Sequence, residues 1–216
     1  MDSHSRVQHF RKLLSDTERV VCAVTPGNLT DTSHPSELEN LLSSMEIAVE
    51  SGANFVQIRE KALSGRSLFN FVKSAVSRLA ESNVCVALNE RFDVALAAGA
   101  HGVHLTSQSL PIAEVKRTVG SSLIIGRSTH SIAEIHDSAG ADYVFFGPVY
   151  STPKKIKMGV PLGLRKLREA VNEYPRIPVV AIGGIEDSNI PEVLEAGARG
   201  YAAIRMFFSS SEGNRS

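Results

Sequence analysis

What this sequence lacks narrows its class before any motif is read. No apolar stretch approaches the ~18 residues of a membrane span, and the opening MDSHSRVQHFRKLL has no apolar run of signal-peptide length. Both absences point away from membrane and toward the cytoplasm. Neither sign of charge is in excess, since 23 basic residues stand against 23 acidic ones. There is thus no global pull toward nucleic acid or anionic lipid, and any anion must be bound locally. Cysteine is scarce: Cys22 and Cys85 lie in the apolar runs VVCAV and VCVAL, with no His or Cys at metal-ligand spacing beside them. They read as buried thiols in place of a disulfide or metal site. No Ser/Gly-rich linker or low-complexity tract divides the 216 residues, so one domain is expected. Missing too is a G-x-G-x-x-G turn after the first apolar run, where TPGNLTD stands instead; this argues against an open doubly wound sheet.

What is present is one phrase in four copies: SGANFVQ from Ser51, AGAHGVH from Ala98, AGADYVF from Ala139 and AGARGYA from Ala196. In each, a helical pattern stops at a glycine and an apolar run of strand character begins two or three residues later. Glycine takes the left-handed conformation that ends a helix without steric cost, so Gly52, Gly99, Gly140 and Gly197 read as helix caps that feed strands. Strands are expected at 20–24, 55–58, 84–88, 102–105, 123–126, 143–146, 178–182 and 200–204. Helices are expected at 36–50, 67–82, 92–98, 111–119, 131–139, 163–173 and 188–196, with Ser36, Ser67, Ser131 and Ser188 as N-caps. Strict alternation with eight strands predicts a single closed (β/α)8 TIM barrel. Only twelve residues follow Ile204, so the eighth helix is short or missing, and a helical N-terminal extension around 7–14 is expected to cover that side. The expected division is an extension over 1–19, the barrel over 20–208 and a flexible tail over 209–216.

Polar residues gather after the strands: Gln57, Arg59 and Lys61; Asn89, Glu90 and Arg91; Ser128 and His130; Thr152, Lys154 and Lys155; and Arg205. In a β/α barrel those loops build the active site, so a polar, largely basic mouth is predicted there. Alternation along strand two sends Phe55, Gln57, Arg59 and Lys61 inward and Val56 and Ile58 toward the helices. Gly183 and Gly184 close the seventh strand; they read either as a tight turn or, with Arg205 at the end of the next strand, as a phosphate site. The phosphate site is the preferred reading, and a salt bridge under the barrel rim is the alternative for Arg205. Arg59, Lys61 and Lys154 would together neutralise a departing diphosphate. His130 and His104 follow strands five and four, and either is a candidate proton carrier or a hydrogen-bonded structural residue.

Six ordered pieces carry a family likeness: QIREK at 57–61, LNERFDVAL at 88–96, GVHL at 102–105, GRSTHS at 126–131, FGPVYSTPKK at 146–155 and AIGGI at 181–185. Together they resemble the thiamine phosphate synthase and thiazole tautomerase superfamily of β/α barrels. The resemblance implies joining of a Mg²⁺-bound hydroxymethylpyrimidine diphosphate to thiazole phosphate, with loss of diphosphate and capture of a carbocation-like methylene by the thiazole nitrogen. It implies that Gln57, Arg59, Lys61, Asn89, Ser128 and Lys154 bind the pyrimidine diphosphate and that Thr152 and Gly184 face the thiazole phosphate. The partners implied are small phosphorylated substrates, with a homo-oligomer as an option. Some positions depart from the family pattern. Glu90 stands where an Asp is usual, Ser109 replaces a second acidic Mg²⁺ ligand after GVHL, and Arg205 replaces a small serine. Glu90 is then the remaining metal ligand, with substrate phosphates supplying other oxygens. Two alternatives stay open: a metal-free thiazole tautomerase using His130 as proton carrier, and a silent barrel that binds a thiamine precursor.

Overall fold

The computed structural model describes residues 3–15, 18–151 and 160–208, with side chains from Ser5 onward. Eight parallel strands follow one another in chain order around a closed barrel. They are β1 (Val20–Val24), β2 (Phe55–Ile58), β3 (Cys85–Asn89), β4 (Gly102–Leu105), β5 (Ile124–Thr129), β6 (Tyr143–Phe146), β7 (Val179–Ile182) and β8 (Gly200–Ala203). After α1 (Ser3–Ser15), helices α2 (Pro35–Glu50), α3 (Gly65–Arg78), α4 (Phe92–Ala98), α5 (Ile112–Val119), α6 (Ile132–His136), α7 (Gly163–Glu173) and α8 (Ile190–Glu195) fill the connections. Among the described residues no helix follows β8; residues 205–207 form a turn.

Alternation along the strands creates two cores. Outward residues such as Val56, Ile58, Val103 and Val144 meet the helices. Inward residues, including Phe55, Cys85, Ala87, Tyr143 and Phe145, fill the lower part of the barrel. Cys22 and Cys85 are free buried thiols within this inner core.

The N-terminal helix does not stand in for an eighth helix at the side, as the sequence suggested. It closes the bottom of the barrel. Val7, Phe10, Leu13 and Leu14 join the inner core, and Phe10 stacks on Phe55 with ring centres 4.6 Å apart. Arg6 donates to the carbonyls of Leu79, Ala80, Ser82 and Val84 just before β3, and Arg11 reaches Asp142 and the carbonyls of Ser121 and Leu123 just before β5. The physical reason is the apolar stripe: the strand interiors need a lid at their starts, and this helix supplies it with arginines for the open carbonyls.

The four repeated glycines all sit at positive φ, between 76° and 100°, as helix ends require. Among the predicted N-caps, Ser131 caps α6 by accepting from the Glu134 amide. At α2 and α3 the caps lie earlier: His34 accepts from the Ser36 amide, and Ser64 accepts from the Ser67 amide. Ser188 does not cap α8: Glu186, paired reciprocally with Asn189, caps the short turn Asp187–Asn189 that leads into it, and α8 itself has no side-chain cap among the described residues.

Candidate active site

Above the aromatic floor the barrel interior turns polar. Gln57 from β2, Asn89 from β3, His104 from β4 and Ser128 from β5 occupy inward positions on neighbouring strands, with Asn89 beside His104 in register. Gln57 Nε2 donates to Asn89 Oδ1 at 3.2 Å, and Asn89 Nδ2 donates to Glu90 Oε2 at 2.9 Å. Lys61 Nζ lies 3.2 Å from the same Glu90 oxygen. The other carboxylate oxygen accepts from Thr106 Oγ1 at 2.7 Å and from Ser109 Oγ at 3.5 Å. One continuous polar array therefore runs from the buried Gln57 to the open rim.

Two features of this array mark strain and incompleteness. Glu90 has φ of 65°, the only positive φ at a non-glycine among the described residues; such strain persists where the surrounding structure holds it. Gln57 is 3% exposed, and its Oε1 has no hydrogen-bond partner among the described residues. An orphan acceptor of this kind is expensive to bury and is satisfied at no further cost by an incoming donor. Partial burial opposes ionisation of Glu90, but the bonds from Thr106, Lys61 and Asn89 outweigh it and hold its carboxyl below the ordinary value.

The remaining predicted residues take separate places on the rim. Arg59 leans on the β1 loop, where a Cβ at Gly27 would come 3.1 Å from the guanidinium, while Lys61 turns toward the β3 loop. Arg91 makes a twofold bond with Asp93, 2.9 and 2.7 Å. The exposed His130 has Nδ1 on the Gly147 carbonyl, and its amide donates to Glu134. Arg205 pairs with Glu186 at 3.4 Å, both more than half exposed. Gly183 and Gly184 have φ of 96° and 68°. Any Cβ there would strike Pro148 at 2.5 Å or Tyr150 at 2.6 Å, so this turn is packed directly on the start of the β6 loop. Thr152, Lys154 and Lys155, farther along that loop, lie outside the described residues.

A cleft of about 410 Å³ opens beside this array, lined by Glu60, Lys61, Asn89, Glu90 and Arg91 together with the apolar Leu63, Leu68 and Leu88. Glu60 is committed to the fold: its two oxygens accept from the amides of Gly27 and Leu29, at 3.0 and 2.8 Å. Glu90 is thus the carboxylate available to a cation there. Among the described residues no three His, Cys, Asp or Glu side chains group to hold a metal. One carboxylate with neighbouring hydroxyls fits a hard cation such as Mg²⁺ where waters and a ligand's own oxygens complete its shell.

Sequence motifs gave His104 no definite role, yet the structure places it at the centre of the polar layer. It is buried, with Nδ1 3.0 Å from the Tyr143 hydroxyl and Nε2 2.9 Å from Ser128 Oγ. Burial pushes it down to about 3, against a smaller upward pull from Glu90, so the ring is neutral. The signal available in sequence was the register itself: His104 shares an inward parity with Gly102, opposite the outward Val103 and Leu105.

The model of the thiamine monophosphate synthase family matches residues 23–207, essentially the whole barrel. The chain belongs to that family. A thiamine-phosphate synthase of Synechococcus sp. is 38% identical over 186 residues, covering 85% of this chain and 52% of the relative, so this chain spans about half that protein's length. The thiamine-phosphate synthase of Caldanaerobacter subterraneus is 37% identical over 83% of this chain and 84% of its own. A solved thiamine phosphate pyrophosphorylase from Pyrococcus furiosus superposes with a TM-score of 0.76 at 32% identity, covering 93% of this chain and 91% of that one. The matched span includes every piece of the polar array, from Gln57 through Ser128 to the Gly183–Gly184 turn.

Proposed function

We propose that the mouth of this barrel carries out the thiamine phosphate synthase reaction, joining hydroxymethylpyrimidine diphosphate to thiazole phosphate with release of diphosphate. The chain is an enzyme of thiamine biosynthesis, of the transferase type found in its family. The observation that carries the residue-level reading is the array from Gln57 to Lys61, buried at one end with an unfilled acceptor and charged at the other. A planar heterocycle with an amino donor suits the Gln57 end, and a diphosphate suits the Lys61 end.

In this reading Gln57, Asn89 and Ser128 orient the pyrimidine, while Arg59, Lys61 and Lys154 receive the charge that grows on the departing diphosphate. Placed charges lower such a barrier by stabilising separated ions, with no protein nucleophile required. Gly183, Gly184 and Thr152 position the thiazole phosphate, with Arg205 at its edge, so that the ring nitrogen meets the methylene carbon as the carbon–oxygen bond breaks. Mg²⁺, when bound, neutralises diphosphate oxygens, and Glu90 is the residue that would hold it. Glu90 also orients Lys61 and Asn89, which ties the metal end of the site to the pyrimidine end.

The decisive experiment incubates the purified chain with both precursors and Mg²⁺ and follows thiamine phosphate. Product formation, lost in Lys154→Ala, is expected. No product at saturating metal rejects the synthase reading. Metal-independent interconversion of thiazole carboxylate tautomers that stops in His130→Ala would put tautomerisation in its place.

A further inference from the structure

The ring of His104 is enclosed, with a partner on each nitrogen: Tyr143 at Nδ1 and Ser128 at Nε2. Phe145 lies against it, ring centres 4.3 Å apart, so the imidazole cannot turn over without unpacking the barrel interior. Tyr143 is fixed as firmly. Its ring crosses the barrel over Gly126, where a Cβ would come 2.0 Å from a ring carbon, so only a glycine on β5 leaves room for it.

The direction of each hydrogen bond follows from the buried end. Among the described residues the Tyr143 hydroxyl has one hydrogen-bond partner, His104 Nδ1. A buried O–H without an acceptor forfeits its hydration, whereas an oxygen that already makes one bond tolerates an idle lone pair. Tyr143 therefore donates to Nδ1. The neutral ring carries a single proton, which must stand on Nε2 and point at Ser128 Oγ. With its oxygen accepting from the ring, Ser128 keeps its own hydrogen for whatever lies above it. The hydroxyl of the half-buried Ser128 has no other hydrogen-bond partner among the described residues.

We propose that Tyr143 and His104 are positioning residues that set the polarity of the Ser128 hydroxyl, presenting it to the ligand as a donor. The matching ligand atom is an acceptor, a ring-nitrogen lone pair or an anionic oxygen of the pyrimidine diphosphate. This deepens the synthase reading and rests on it for the identity of that ligand, but the tautomer itself is read without turnover.

Nitrogen-15 NMR of ring-labelled histidine in the full chain at neutral pH is expected to show the His104 proton on Nε2. In Tyr143→Phe the Nδ1–H form gains population, whereas in Ser128→Ala the proton stays on Nε2. A proton on Nδ1, or on both nitrogens, in the unsubstituted chain overturns the proposal, as does a Tyr143→Phe spectrum identical to it. In turnover, Ser128→Ala and Tyr143→Phe each raise KM for the pyrimidine diphosphate about tenfold, the worth of one hydrogen bond. KM for thiazole phosphate is unchanged, and the double variant is no worse than Ser128→Ala. Losses that multiply overturn the relay. Absence of turnover in the unsubstituted chain would remove the synthase reading alone, since the tautomer stands or falls by the NMR result.

Discussion

Glu90 is held in a left-handed backbone conformation while its two oxygens serve four neighbours: Asn89 and Lys61 on one, Thr106 and Ser109 on the other. The pair with Lys61 is exposed enough to add little stability, so the value of the carboxylate lies in what it orients. Glu90→Gln is expected to lower synthase activity at limiting Mg²⁺ by at least about tenfold, with partial recovery at high metal, while the melting temperature moves by only a few degrees. An activity loss unaffected by metal concentration would sink the assignment of Glu90 to the metal. Two other residues control acid stability. Burial pushes His101 down to about 4 and His104 to about 3, and His101 accepts from the Val86 amide through Nδ1. Both stay neutral in the fold while the unfolded chain protonates them from about 6.5 downward. The unfolded state binds the additional protons, so stability falls as pH drops below that value, by about 1.4 kcal/mol per pH unit for each histidine until the folded values are approached. Urea unfolding between about pH 7.5 and about pH 5 measures this slope, and His101→Gln should halve it; a flat profile would contradict the burial of neutral rings.

Which elements form, and in what order, was legible from the helix-ending glycines, because a positive φ is a local backbone demand that leaves its mark on residue type. Strand ends were less legible. β5 runs past Gly126, where the expected strand ends, through the polar Arg127 and Ser128 to Thr129; pairing with β4 and β6 on both sides extends it. The destination of α1 was hidden for another reason: an apolar stripe says that a helix is covered, not by what. Phe10→Ala is expected to destabilise the chain by about 3 kcal/mol, measured by urea unfolding, because it opens a cavity against Phe55 and Tyr143. A cost below about 1 kcal/mol would mean the helix only rests on the surface. At the opposite end, Gly184→Ala places a methyl group on Tyr150 and Ser151 at a positive φ. It is expected to raise KM for thiazole phosphate several-fold with a smaller effect on the pyrimidine diphosphate, which steady-state kinetics with each substrate varied would resolve.

For the molecule as a whole, the polar mouth was legible because residues after parallel strands must share one rim. Its internal wiring was not. Arg59 and Lys61 look equivalent in QIREK, yet one leans on Gly27 and the other pairs with Glu90. The His104 relay depends on Gly126 and Tyr143, residues brought beside it only when β4, β5 and β6 register. The stopper formed by α1 has a practical corollary. The start of that helix lies at the sealed base, whereas the segment after β8 leaves at the open rim. A tether fused ahead of Ser3 would anchor the protein to a support bottom-down, with its entrance facing the bulk solution, while the same tether placed after Phe208 would start from the rim side, where Met206, Phe207 and Phe208 pack against the outer core.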